Sequence, residues 1–149
     1  MLVGNIMTSE VITVAPTSSI GAAIELMRQH GFRRLPVVED DKLVGIVTDR
    51  DLRQATNSPL VLRERWYSDF LLEAIKVRSC MTPDPITVQP STPVADAALR
   101  LREHKIGGLP VVDVDGGDHV VGMVTITDML GCLIHLLKQE REIDVALER

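Results

Sequence analysis

The sequence predicts an α/β (α+β) fold made of two β-α-β-β-α repeats packed through their sheets with pseudo-two-fold symmetry. Three observations predict it: a chain written twice, apolar residues at helical spacing at the same place in each copy, and short β-branched runs around them. With 149 residues the chain is long enough to bury a real core and too short for two large independent lobes.

The first copy reads IMTSEVITVAPTSSI from Ile6 and FRRLPVVEDDKLVGIVTDRDL up to Leu52. The second reads CMTPDPITVQPSTPV from Cys80 and IGGLPVVDVDGGDHVVGMVTITDML up to Leu130. Met7-Thr8 answers to Met81-Thr82, and Leu35-Pro36 to Leu109-Pro110, at an offset of 74. Gly45, Thr48 and Asp51 answer to Gly122, Thr125 and Asp128 at an offset of 77. The extra residues fall between Val112 and Gly122, where the Gly- and Asp-rich DVDGGDH predicts a hairpin loop.

Each copy opens on a predicted strand, Val11 to Val14 or Ile86 to Val88, that ends at a proline-containing turn. A helix follows, with apolar residues at Ile20, Ala23, Ile24 and Met27, and at Val94, Ala97, Ala98 and Leu101. Two apolar runs split by a polar turn then predict a small buried sheet, and a second helix starts after each Thr. Such a unit cannot cover both faces of its sheet, so the two copies are expected to pack together.

The predicted organisation is repeat 1 over 1–56, a linker helix over 57–76, repeat 2 over 77–135 and a C-terminal helix extension over 136–149. Asn57-Ser58-Pro59 punctuates the chain, and the linker helix carries Trp66 and Phe70 at i, i+4, expected to pack across the repeats. Leu130, Leu133, Ile134, Leu136 and Leu137 form a stripe wider than a monomer surface needs, which points to a homodimer.

Composition narrows the function. The formal charge of -5, with both signs mixed along the chain, gives no basic stripe for nucleic acid. Cys80 and Cys132 have neither the density nor the spacing of a disulfide framework or zinc site, which fits a reducing, cytoplasmic setting. The start, MLVGNIMTSEV, lacks a signal-peptide pattern, and no apolar run approaches the ~20 residues needed to span a bilayer. The four histidines show no i, i+4 ligand pair, and DVDGGDH lacks the positional order of a calcium loop. No phosphate loop, nucleophile elbow or nucleophile-base pair stands out, so no catalyst is expected.

The informative pattern is GIVTDRD over 45–51 and its counterpart GMVTITD over 122–128. A hydroxyl that donates and accepts, and a carboxylate that accepts, stand on one helical turn and suit the paired hydroxyls of a ribose. Free N–H groups at the helix start favour phosphate, and the glycine is expected to leave the sheet open to a ligand. The same Thr-x-x-Asp is also a helix cap, a role that leaves some of its oxygens free.

The motif order, IMT…ITV…LPVV…GIVTDRDL and CMT…ITV…LPVV…GMVTITDML, resembles the tandem cystathionine-β-synthase (CBS) domain pair, or Bateman module, over about residues 3 to 135. Spacing and linker are similar to the CBS pair of acetoin-utilisation B proteins. The resemblance implies a non-catalytic regulatory module. Its ligand would be an adenine nucleotide (AMP, ADP or ATP) or S-adenosylmethionine, bound between the repeats and read by a protein target. It implies one site from Ile12, Thr13, Ile46, Thr48 and Asp51 and another from Ile86, Thr87, Met123, Thr125 and Asp128. Arg33 and Arg34, just before the strand carrying Pro36, would reach phosphates, and Pro36 and its counterpart Pro110 join the candidate residues. It also implies a flat dimer of four repeats; charge and hydropathy, for their part, lead to no expectation of a nucleic acid or membrane partner.

Gly107 and Gly108 stand where the first copy has Arg33 and Arg34, so the two sites are expected to differ, with anionic ligand preferring the arginine side. The competing expectation is a structural dimerisation module whose Thr and Asp residues are only caps.

Overall fold

A computed structural model of the chain describes residues 1–56 and 65–147. In chain order the elements are α1 (Ile20–His30), β1 (Arg34–Glu39), β2 (Lys42–Thr48), α2 (Asp49–Thr56), α3 (Arg65–Ala74), β3 (Thr82–Pro83), α4 (Val94–His104), β4 (Gly108–Asp113), β5 (His119–Thr125) and α5 (Ile126–Leu147). The mixed helix and strand pattern, given twice, is the architecture the repeat predicted.

The hairpins follow from their turn residues. Asp40 and Asp41 both adopt positive φ, 50° and 62°, the two-residue connection whose twist matches the flanking strands β1 and β2. Between β4 and β5 the longer loop closes through Gly117, φ 81°, and Asp118, φ 64°, as expected for the inserted residues. Ser19 caps α1 by accepting from the Ala22 amide at 3.1 Å, and Gly31 ends it at φ 68°.

The two strands expected at Val11 to Val14 and Ile86 to Val88 shrink to one residue each. Val14 forms a single parallel bridge to Val37, and Val88 one to Val111. Each makes two bonds: Val14 N to Pro36 O at 3.0 Å and Val38 N to Val14 O at 2.9 Å, and the same pattern around Val88. Pro16 and Pro90 lack the N–H groups that would donate next and extend the ladders.

Two cores result. One gathers Val14, Ile20, Ala23, Met27, Leu35, Val37, Val47, Leu52 and Val77; the other Val3, Val88, Ala97, Leu101, Leu109, Val111 and Val124. Val77 follows repeat 1 in sequence by more than twenty residues yet lies in the first core, and Val3 opens the chain yet lies in the second. The segments that lead into Met7-Thr8 and Met81-Thr82 are exchanged. Thr8 and Met123 trade both backbone bonds, at 2.8 and 2.9 Å, while β3 pairs with β2 so that Thr82 faces Ile46 and Pro83 faces Gly45. Each repeat thus lends the other an edge strand, covering donors and acceptors that an open two-stranded hairpin would expose.

The linker helix was expected to pack across the repeats. The described part, α3, instead lies on α1, where Gly21 approaches the Leu72 backbone and Leu72 and Ile75 pack on the first core. Residues 57–64, with the Asn57-Ser58-Pro59 break, and the Trp66 side chain lie outside the described residues, and Phe70 is exposed. The second helix of repeat 2 and the C-terminal extension form one continuous helix, α5. No described helix is long and apolar enough to cross a membrane.

Candidate functional site

Among the described residues, two of the clefts between the repeats have linings that pseudo-symmetry relates. The larger, about 350 Å³, combines Ile46, Thr48, Arg50 and Asp51 of repeat 1 with Thr82, Asp84, Pro85, Ile86, Lys105, Gly107, Gly108 and Pro110 of repeat 2. The smaller, about 60 Å³, sets Thr8, Glu10, Ile12, Phe32 and Pro36 of repeat 1 against Met123 and Thr125 of repeat 2. Arg34 lines both.

This grouping corrects the sequence-based one. Ile46, Thr48 and Asp51 were expected to share a site with Ile12 and Thr13, but they face Ile86 and Pro110 of the other repeat. Ile12 and Pro36 face Met123 and Thr125 instead. The cause is the strand exchange, which sets the leading segment of each repeat beside the β-hairpin of the other. Thr13 is exposed and lines neither cleft, and Asp128 lines neither. Thr87 falls in a third cavity with Leu43, Asp84, Pro85, Val112 and Asp118, and its carbonyl accepts from Arg100 Nη1 at 2.7 Å.

Thr48 and Asp51 form a reciprocal cap on α2. The Thr48 amide donates to Asp51 Oδ2 at 2.9 Å, and the Asp51 amide donates to Thr48 Oγ1 at 3.2 Å. The Thr48 hydroxyl proton and the second Asp51 oxygen stay uncommitted to those bonds. At α5 the cap closes further, because the Thr125 hydroxyl itself donates to Asp128 Oδ2 at 3.0 Å beside the 2.7 Å amide bond. The cap expected from sequence is therefore present in both copies, and it leaves more hydrogen-bonding capacity in the first.

The glycine of each motif does not hold the sheet open for a ligand, as sequence reasoning expected. A β-carbon on Gly45 would stand 2.5 Å from Met81 Sδ, and one on Gly122 would stand 2.6 Å from Met7 Sδ. Methionine of the opposite repeat fills that space.

Arg33 and Arg34 also part company. Arg33 is exposed, lines neither cleft, and contributes its carbonyl, which accepts from the Asp49 amide at 2.8 Å. Arg34 is half-buried and reaches the Gly107-Gly108 backbone of repeat 2. The expectation that arginines mark one site and glycines a weaker one is thus replaced: Arg34 and both glycines line the same larger cleft. Burial pulls the Arg34 guanidinium below its ordinary value, with Asp49 opposing and Arg33 adding to the shift, and it stays charged at neutral pH. The ion pairs among the described residues, Arg28–Glu25 and Arg53–Asp49, leave it out.

Sequence reasoning missed Arg50, Asp84 and Pro85, and Lys105, at the end of α4, lines the cleft with them. Their signal was available in the offset comparison: Arg50 answers to Thr127, and Lys105 to Gly31. The larger cleft accordingly holds Arg34, Arg50 and Lys105 against Asp51 and Asp84, whereas the smaller pairs Arg34 with Glu10.

Comparison with known proteins agrees with this geometry. The family model described as the CBS domain matches residues 3–58 and 77–135. A CBS domain-containing protein of Dictyostelium discoideum is 37% identical over 139 residues, covering 93% of this chain and 94% of that protein. An inosine-5'-monophosphate dehydrogenase of Korarchaeum cryptofilum is 40% identical over 120 residues, which span 80% of this chain but 22% of the enzyme. Among solved structures, an acetoin utilization protein (AcuB) from Vibrio cholerae superposes with a TM-score of 0.75 at 31% identity, covering 95% of this chain and 96% of that one. The CBS domain pair of protein MJ0100, solved with 5'-methylthioadenosine and S-adenosyl-L-methionine, gives 0.75 at 29% identity, over 89% and 95% of the chains. CBSX2, from Arabidopsis thaliana, solved with AMP, gives 0.73 at 33% identity, over 91% and 97%. Doubled motifs, exchanged edge strands and matched neighbours together place the chain in the CBS domain family, as a tandem pair of CBS repeats.

Proposed function

We propose that the chain is a non-catalytic regulatory module that holds an adenosine-containing ligand in its larger cleft, and that occupancy changes how the repeats, or two copies of them, are posed for a protein target. The larger cleft carries the reading. Its 350 Å³ lies within the ~300–1,000 Å³ of small-ligand sites, whereas 60 Å³ does not. Ile46, Ile86 and Pro110 offer flat apolar walls for a base. The Thr48 hydroxyl and the second Asp51 oxygen offer partners for ribose, and Arg34, Arg50 and Lys105 supply charge for phosphate. AMP, methylthioadenosine and S-adenosylmethionine in the similar CBS pairs support the adenosine class. The two free thiols suit a reducing cytoplasm.

Mass spectrometry of the purified, denatured protein and equilibrium binding of AMP, ADP, ATP, S-adenosylmethionine and adenosine test the reading. Submicromolar to micromolar binding of one of them supports it; no binding of any at millimolar ligand sinks it.

A second reading, a dimerisation module without ligand, draws on α5, where Leu130, Leu133, Ile134 and Leu137 are each about half exposed at i, i+3, i+4, i+7. The occupant is a second copy, because the stripe recurs along a 22-residue helix and would pair with its own image about a two-fold axis. Light scattering at high micromolar concentration should give a dimer, and Leu133→Glu with Leu137→Glu a monomer. A dimer is compatible with either reading; the absence of any bound adenosine compound is what sets the second apart.

A further inference from the structure

Arg34 and Gly108 occupy equivalent positions of the two repeats, and the structure shows why they differ. Neither Gly107 nor Gly108 has a positive φ, so backbone conformation does not demand glycine at either place. Space does. A β-carbon on Gly107 would overlap the Arg34 guanidinium, and one on Gly108 would stand 2.6 Å from Arg34 Cδ. The two repeats come so close here that one long side chain fits and a second does not.

That side chain lines both clefts, and its guanidinium lies on the Gly107 backbone, inside the larger one. Among the described residues the smaller cleft has no other cation in its lining and carries Glu10, while the larger keeps Arg50 and Lys105 beside Arg34. A phosphate in the larger cleft would therefore engage the one guanidinium that the smaller cleft also borders, leaving an acidic wall there.

We propose that Gly107-Gly108 is a berth for Arg34, and that this single shared guanidinium restricts each chain to one phosphate-bearing ligand, held in the larger cleft. The inference rests on the adenosine-ligand reading above and deepens it by fixing stoichiometry and charge selectivity.

Calorimetric titration of the full chain with AMP and with adenosine tests it. One equivalent of AMP per chain is expected, and Gly107→Ala should weaken AMP about tenfold or more by displacing the guanidinium while changing adenosine less than about threefold. In an Arg34→Ala background, Gly107→Ala should have no further effect on AMP. Two equal, independent AMP equivalents, or an undiminished Gly107→Ala loss without Arg34, overturn the shared berth and leave the adenosine reading intact. Absence of binding by both ligands removes that reading instead. Should Gly107→Ala melt too low to titrate, Arg34→Ala alone decides: it should weaken AMP about tenfold or more while changing adenosine less than about threefold, and an equal loss for both ligands overturns the proposal.

Discussion

Met81 Sδ lies over Gly45 so closely that a β-carbon there would stand 2.5 Å from it, and Met7 repeats the contact at Gly122. Each methionine sits on the edge segment lent to the opposite repeat, so the glycine and the thioether lock the exchange.

Gly45→Ala and Gly122→Ala should therefore each destabilise the protein by about 1–3 kcal/mol, the usual effect of overpacking. At this chain length that lowers Tm by roughly 2–4 °C per kcal/mol. The Thr82 carbonyl, 3.0 Å from the same hypothetical carbon, limits relief, so Met81→Ala should restore only part of the Gly45→Ala loss. Melting temperatures of the two single mutants and the double mutant measure this. Unchanged Tm in Gly45→Ala would show that the methionine simply moves aside.

The two caps give a second prediction. Asp51 and Asp128 each accept the amide of the Thr three residues earlier, so Asp→Ala at either should cost about 1 kcal/mol of stability. Only Asp51 borders the larger cleft. Asp51→Ala should also weaken the adenosine ligand by about 1.5–3 kcal/mol, while Asp128→Ala should leave it nearly unchanged. Calorimetry and thermal melting on the pair separate folding from binding, and equal ligand losses would contradict the assignment of Thr48 and Asp51 to the site.

Much of this was legible in the sequence, and what escaped it shares one cause. Hairpin turns, caps and the apolar faces of α1 and α4 are local, set by Asp40-Asp41, Gly117, Ser19 and the spacing of Ile20, Ala23 and Met27. A repeat read by itself looks complete, so nothing local reveals that Val3 completes the second core and Val77 the first. Once those segments cross, the clefts are assembled from both repeats, and sites drawn within one copy come out wrongly grouped. The Arg-Arg and Gly-Gly difference was visible, but its reading needed the distance between two backbones.

Cys80 offers a pH-dependent test. Burial, and secondarily the Asp51 carboxylate, hold its thiol above the ordinary 9.0. The fold favours the neutral thiol. This contribution to stability is complete below pH 9 and is lost as pH rises through the folded-state value. Alkylation of Cys80 by iodoacetamide at pH 8, followed by peptide mass spectrometry, should be slower than that of free cysteine, because the thiolate is the nucleophile. Asp51→Asn removes the lesser cause and should raise the rate modestly. A wild-type rate at or above that of free cysteine would reverse the assigned direction.

Arg33 and Arg50 differ in a way their sequence neighbours do not suggest. Arg33 is exposed and lines neither cleft, whereas Arg50, on the first turn of α2, borders the larger one. Arg33→Ala should change AMP affinity less than about twofold, and Arg50→Ala should reduce it by about threefold to thirtyfold, the range of a partly solvent-screened charged contact. Titrations at low and high salt check the cause, because the Arg50 effect should shrink with ionic strength.

Lys105 combines both themes, since it ends α4 in a left-handed conformation, φ 53°, where the other repeat has Gly31 at φ 68°. A residue with a β-carbon there costs about 1–2 kcal/mol relative to glycine, so Lys105→Gly should stabilise the fold and raise Tm. The same substitution removes a cation from the larger cleft and gives repeat 2 the glycine that repeat 1 has at the matching position. AMP should bind Lys105→Gly more weakly, and adenosine should bind it as before. A stability gain with lost phosphate affinity is the signature of a strained residue kept for ligand charge. Lys105→Ala provides the control, because it removes the charge and retains the strain: AMP should weaken equally, with no gain in Tm. If Lys105→Gly raises Tm without weakening AMP, the lysine has no part in the cleft's chemistry.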